Sequence, residues 1–160
     1  MKVKLFNDTK ELIDIIYTAA RTCYFEGSPI DMYDNAWRLE REKKIKLIED
    51  CIKRNHLSVL EHVHLTFGIS GISRACSHQL VRHRHCSFTQ RSQRYCNESS
   101  FNYVTPDSIN DKHLDSYNYH MYMLADYYHL IQRDVPKEDI RYILPNACCT
   151  DLYLSCNLRE

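Results

Sequence analysis

Acidic residues are missing from the middle of this sequence. From His62 to Asn97 there is no Asp or Glu, and no Lys, while five Arg and five His fall in the same window. A solvated charged face usually mixes its signs, so this absence argues against ordinary exposed surface. The chain as a whole is neutral, with 21 Lys and Arg against 21 Asp and Glu, so its positive charge is concentrated here. Cys-x-x-Cys is absent too, although there are eight cysteines, and Cys148 and Cys149 are adjacent. That spacing argues against a disulfide scaffold and for reduced, mostly buried thiols. The start, Met1-Lys2-Val3-Lys4, has no apolar signal region, and no apolar run approaches membrane-spanning length. The expectation is a cytoplasmic protein with no membrane partner. Internal repeats, linkers and low-complexity stretches are also absent, which argues against a repeat array.

At 160 residues the chain is expected to form a single domain, 1–160, with a real core. Its 44% hydrophobic and 26% charged content is ordinary for a globular protein. Most of its twelve tyrosines are expected as half-buried packing.

Residues 2–6 read as a short strand. Asp8 and Glu11 resemble a capping box, and Leu12, Ile16, Ala19, Ala20 and Cys23 then recur at helical spacing. Gly27-Ser28-Pro29 breaks that helix. A second helix covers roughly 39–54, with Lys43, Lys44 and Lys46 read as its solvated face and Asn55-His56 as its end. Residues 62–70 alternate as a strand, with Val63, Leu65, Phe67 and Ile69 on one side. Ser70-Gly71 is expected to turn into a short helix through about Val81. A basic extended segment follows to Tyr95, then a polar loop over 96–108. Tyr117, Met121, Leu124, Tyr128 and Ile131 mark the buried stripe of a long helix at about 109–134. Pro136 opens another helix, and residues 148–156 read as a strand with Leu152, Leu154 and Cys156 on one face. Asn157 to Glu160 looks like the start of a further helix. Helices mixed with a few strands, without regular alternation, indicate an α+β fold.

The basic run, Arg82-His83-Arg84-His85 through Arg91-Ser92-Gln93-Arg94, carries a chemistry. Arginine stays charged at ordinary pH, and its planar fork matches phosphate oxygens two at a time. Ser92, Gln93 and Arg94 put hydroxyl, amide and guanidinium donors within three residues. Such a run suits a small anionic ligand, a nucleotide phosphate above all. Two rivals start from the same residues. His62-x-His64 and His83-x-His85, near Cys76 and Cys86, pair histidines as a metal module does, yet zinc spacings are missing and no metal is expected. Arginines interleaved with Phe88 and Tyr95 suit a nucleic-acid-binding module, but a near-neutral pI and no RNA-module signature weigh against a nucleic-acid partner.

The spacing adds a resemblance. Arg82-His83-Arg84, seven residues, then Ser92, with Gln79 three residues ahead, resembles the signature of flavin-dependent thymidylate synthases. His56-Leu57-Ser58-Val59-Leu60-Glu61-His62 is similar to that family's preceding block. Arg141-Tyr142-Ile143-Leu144-Pro145-Asn146 and Asn157-Leu158-Arg159 are similar to later ones. The likeness runs from about residue 10 to the end.

The resemblance implies a helical framework around a small antiparallel sheet. It implies that dTMP is made from dUMP, with methylenetetrahydrofolate giving the carbon, reduced FAD the hydride, and NADPH reducing the flavin. The uracil carbon is not activated by an enzyme cysteine in that family, so none of the eight is nominated. The implied cofactor contacts are His56, Ser58, Glu61, Arg82, His83, Arg84, Gln90, Asn157 and Arg159, with Ser28 on a loop that approaches the flavin. The implied dUMP contacts are Gln79, Arg82, Gln90, Arg91, Ser92, Gln93, Arg94 and Arg141. Active sites are implied at subunit interfaces of a homotetramer. Members continue past the Asn-x-Arg block with a segment that carries the uracil-activating arginine, so the catalytic residue is unassigned here. The expectation is a chain lacking the family's last segment, an inactive fragment being the alternative, with weak FAD retention. His85 departs from the apolar residue commoner at its position.

Overall fold

The computed structural model describes residues 1–7 and 11–160. In chain order the elements are β1 (Lys2–Leu5), α1 (Leu12–Arg21), α2 (Pro29–Asn35), α3 (Arg41–Lys53), β2 (His64–Ser73), α4 (Arg74–Leu80), β3 (Ser87–Gln90), α5 (Asp111–Ile131), α6 (Lys137–Ile140) and β4 (Cys149–Asn157). Short 3-10 turns cover Thr22–Tyr24, Ala36–Arg38, Leu57–His62 and Arg141–Ile143. The strands form one antiparallel sheet in the order β1-β2-β4-β3. The α+β expectation therefore holds.

The described residues divide into two compact units. Unit 1 holds Met1–Lys4 and Phe67–Leu154, and unit 2 holds Leu5–Thr66 and Ser155–Glu160. The core of unit 2 is Ile16, Leu60 and Val63, with Leu12, Ile48 and Leu65 packed against them. These come from α1, α3, the turn before β2 and β2 itself. The core of unit 1 includes Phe101, Met121 and Cys148, with Tyr117 and Leu124 around them. The stripe expected on α5 is the one it buries: Met121 and Tyr128 are buried, and Tyr117, Leu124 and Ile131 partly so. A second stripe on α5 (Tyr119, Tyr122, Met123, Tyr127 and Leu130) is exposed. Its spacing is that of an apolar helix face.

Several local elements differ from these expectations. Residues 29–35 form a helix, not a plain loop. Ser28 caps it by accepting from the Ile30 N–H at 3.1 Å, and Pro29 occupies its first turn, where a missing N–H costs nothing. The strand at 62–70 begins later and runs on to Ser73, preceded by a 3-10 turn. Gly71 continues it with φ +75°, a conformation open to glycine, and its N–H meets the Asp151 carboxylate at 3.1 Å. Ser70-Gly71, expected to turn into the helix, lie within β2, and Ser73 caps α4, accepting from Cys76 N at 3.1 Å. Lys44 is not on a solvated face. It is 5% exposed, and its Nζ lies 2.5 Å from Asp14 Oδ1 on α1. The expected Asp8–Glu11 capping box involves Asp8, which lies outside the described residues; among the described residues Glu11 is the N-cap of α1 and its side chain makes no cap bond. Residues 96–108 are more than polar loop, since Glu98 and Phe101 are buried and Tyr103 bridges to Cys148.

No disulfide links any of the eight cysteines. Cys148 is fully buried, and burial first, then the Glu98 carboxylate, pushes its thiol up from about 9 to about 11. The unfolded thiol ionises near pH 9 while the folded one holds its proton. Its contribution to stability is therefore whole below pH 9 and declines as pH rises from 9 to 11. Alkylation with iodoacetamide at pH 8, read by peptide mass spectrometry, is expected to label exposed Cys23 and Cys76 well before Cys148. Equal labelling of all three would contradict this burial.

Candidate functional site

In unit 1 the basic run begins where α4 ends. Arg82 N bonds Gln79 O at 3.1 Å and His83 N bonds Leu80 O at 3.2 Å, so the helix unwinds through tight turns. Gln79, Arg82, His83 and Arg84 are exposed. Among the described residues, no hydrogen bond or ion pair occupies the side chains of Arg82, Arg84 or Arg94. Arg94 stacks on Tyr95, 5.8 Å from its ring centre. These are cations open to an incoming anion.

The flanking residues are held from within. The Gln90 amide donates to Ser77 Oγ at 2.8 Å and Thr150 Oγ1 at 3.1 Å, tying β3 to α4 and β4. Gln93 donates to Cys148 Sγ at 3.8 Å. Ser92 organises a turn: its Oγ accepts from Arg94 N at 3.2 Å, and its carbonyl accepts from Tyr95 N and Cys96 N. Lys137 donates to Tyr95 O at 2.9 Å. Arg141, just after α6, donates to Glu138 O at 3.0 Å and lies over Tyr142.

Arg91 is more enclosed by acceptors. Its Nε is 3.3 Å from Glu98 Oε1, a terminal nitrogen is 3.8 Å from Asp151 Oδ2, and another donates to Asn97 O at 3.5 Å. Burial works most strongly against its charge, but Glu98, Cys96 and Asp151 together outweigh it and its pKa is raised. Burial also pushes the Glu98 carboxyl up, against the lowering effect of Arg91 and Arg74.

Unit 2 holds the other expected residues. His56 follows a Schellman closure of α3: Asn55 takes φ 59°, Asn55 N bonds Ile52 O at 3.0 Å, and His56 N bonds Cys51 O at 2.8 Å. His56 and Ser58 line a cavity of about 270 Å³ with Arg21, Tyr24, Asp50 and Arg54. Ser58 also lines a second cavity, of about 500 Å³, with Thr18, Thr22, Cys23 and His62. Glu61 and Arg159 form an ion pair. Asn157 Oδ1 accepts from the N–H groups of Arg159 at 3.0 Å and Glu160 at 3.2 Å. This is a local cap of the kind its side chain favours.

The comparisons with known proteins span both groups of residues. The sequence model of the family described as "Thymidylate synthase complementing protein" matches residues 4–160. The chain belongs to that family. A flavin-dependent thymidylate synthase of Nitratidesulfovibrio vulgaris is 36% identical over 171 residues, covering 99% of this chain and 70% of that protein. Another, of Geobacter sulfurreducens, is 38% identical over 165 residues, covering 100% of this chain and 70% of that protein. The fold is similar to the crystal structure of thymidylate synthase X of Helicobacter pylori with FAD and dUMP. The TM-score is 0.71 at 23% identity, over 99% of this chain and 79% of that one.

Within this thymidylate synthase family chain, the expected site residues therefore fall in two groups. Gln79, Arg82, His83, Arg84, Gln90 to Arg94 and Arg141 lie in unit 1. His56, Ser58, Glu61, Asn157 and Arg159 lie in unit 2. Sequence reasoning passed over Arg21, Arg54 and Tyr24, which share the His56 cavity. No motif marks them, because helical spacing alone brings Arg21 and Arg54 to helix ends. Sequence reasoning also passed over Glu98, in a stretch read as polar loop. Among the described residues no cluster of His, Cys, Asp and Glu could hold a metal ion. No helix among them is long and apolar enough to cross a membrane.

Proposed function

We propose that this chain acts as a flavin-dependent thymidylate synthase, converting dUMP to dTMP. The observation that carries this is the set of uncommitted arginines, Arg82, Arg84 and Arg94, in a window free of carboxylates. It is joined by family membership over residues 4–160.

The donor set fits both anions the reaction needs. A nucleotide phosphate and an FAD pyrophosphate each call for fixed cationic and amide donors. When bound, reduced FAD supplies the hydride, while methylenetetrahydrofolate supplies the carbon and NADPH the reducing equivalents. The chain's residues bind and orient. Arg94, Ser92 and Gln93 hold the phosphate of dUMP, with Gln79 and Arg141 completing the nucleotide site and Arg91, held by Glu98 and Asp151, supporting it from the scaffold. Arg82, His83 and Arg84 meet the cofactor, and Arg82 serves the nucleotide as well. Gln90, fixed by Ser77 and Thr150, borders both. His56, Ser58, Glu61, Asn157 and Arg159 form the remaining cofactor contacts, with Glu61 orienting Arg159 through their ion pair.

We assign the working form to a homotetramer with sites at subunit interfaces. The exposed apolar stripe of α5 supports this, since a second copy covering Tyr119, Tyr122, Tyr127 and Leu130 would remove it from water. Eight cysteines without a disulfide support a cytoplasmic setting.

The test is an absorbance titration of the protein with FAD, with and without dUMP. The expected result is a perturbed flavin spectrum that responds to dUMP. If neither this chain nor one extended past Glu160 perturbs the spectrum, the assignment fails.

A further inference from the structure

We propose that Glu98 is a positioning residue for the phosphate end of the nucleotide. Acting through Arg91, it fixes the turn that carries Ser92 and Arg94. The proposal rests on the reading of that turn as the dUMP site.

Glu98 is the first carboxylate after the acid-free window, and it is 5% exposed. A buried carboxylate is stable only when paired and hydrogen-bonded, and Arg91 Nε, 3.3 Å away, is its ion-pair partner. The same guanidinium reaches Asp151 at 3.8 Å and the Asn97 carbonyl at 3.5 Å. Asp151 is itself anchored: its Oδ1 accepts from Ser70 Oγ at 2.5 Å and from Gly71 N at 3.1 Å. The Arg91 backbone is held as well. Its N–H bonds Asp151 O at 2.9 Å, and its carbonyl accepts from Arg74 at 3.5 Å.

Arg91 thus joins β4 on one side to the Asn97–Glu98 loop on the other. If its side chain swung out toward a ligand, Glu98 would be left as an unpaired buried charge. Arg91 is accordingly committed to the scaffold, whereas Arg94 is not. The residue after Arg91 is Ser92, whose hydroxyl and carbonyl organise the turn to Cys96. With Arg91 fixed at its start and Gln93 held on Cys148, the turn is shaped before a phosphate arrives. A preformed anion site loses less freedom on binding.

The deciding quantity is the ratio of dUMP to deoxyuridine affinity, measured on the FAD-loaded protein for wild type, E98Q, R91Q and the double variant. A positioning role acts on the phosphate contribution alone. E98Q is expected to weaken dUMP about 10-fold and to leave deoxyuridine unchanged. R91Q is expected to do the same, and the double variant no more than R91Q, because both act through one contact. Where E98Q does not fold, E98D, which keeps the charge but shortens its reach, carries the same comparison. Equal losses for both ligands, an unchanged ratio, or losses that multiply in the double variant would overturn the proposal alone. A wild-type protein that binds neither ligand would overturn the site reading, and the proposal with it.

Discussion

Arg94→Ala is expected to weaken dUMP binding about 100-fold, the loss of roughly 2–3 kcal/mol that follows from removing a charged hydrogen-bonding group. The Arg94 guanidinium is exposed and stacks on Tyr95 at 5.8 Å, with no carboxylate of the described chain to hold it. The stacking limits the side chain's freedom before binding, so less is lost when two parallel N–H groups meet phosphate oxygens. Its backbone N–H is already bonded to Ser92 Oγ, which fixes where the side chain departs. Arg94→Lys keeps the charge but not the fork and is expected to recover part of the loss. The thermal midpoint is expected to stay near that of wild type, since exposed substitutions of this kind change stability by about 0.5 kcal/mol or less. Titration calorimetry with dUMP, beside a melting curve, measures both. An unchanged affinity would remove Arg94 from the site; a large fall in melting temperature would give it a structural role instead.

Lys44→Ala is expected to destabilise unit 2 by about 3 kcal/mol, the lower end of the cost of breaking a buried ion pair by removing one partner. Lys44 is 5% exposed and lies 2.5 Å from Asp14, whose side chain is itself 24% exposed. The pair joins α3 to α1, next to the Ile16, Leu60 and Val63 core. Ala would leave the Asp14 carboxylate without its cation, together with a gap where the lysine stem packed. The double replacement K44M with D14L is expected to restore most of the loss, because an apolar pair of similar volume carries no desolvation cost. Urea unfolding followed by far-ultraviolet circular dichroism gives the comparison. A loss below about 1 kcal/mol for K44A would put this pair in the class of solvent-screened surface bridges.

The same lysine marks where sequence reasoning stops. Lys43, Lys44 and Lys46 look alike in a run of charges, and a polar run on a helix is usually its wet side. What pairs with the buried Lys44 is Asp14, thirty positions earlier on another helix. No local period carries that contact. The strand expected at 62–70 runs on to Ser73 for a related reason. Gly71 looks like a breaker, but β2 carries it at φ +75° because the Asp151 carboxylate, eighty positions away, receives its N–H. The helix at 29–35 was different. Its signal is local: Ser28 ahead of Pro29 is a helix start as well as a break in the preceding helix.

What the sequence determined by itself was whatever repeats or stands out locally. The α5 stripe of Tyr117, Met121, Leu124, Tyr128 and Ile131 follows from helical period. The strand at 148–156 follows from alternation, and the anion-seeking character of residues 82–94 follows from missing carboxylates. The motif blocks around His56, Arg82, Ser92, Arg141 and Asn157 followed from spacing, and family membership agrees with them. What only the tertiary structure decided was which charges remain open. Arg91 and Arg94 lie three residues apart and look equivalent in sequence. Folding sets Glu98 and Asp151 against one and leaves the other exposed beside Tyr95. The reason is physical. A buried carboxylate must find a cation, and which cation it finds is fixed by how β3, β4 and the 97–98 loop come together, not by neighbours along the chain.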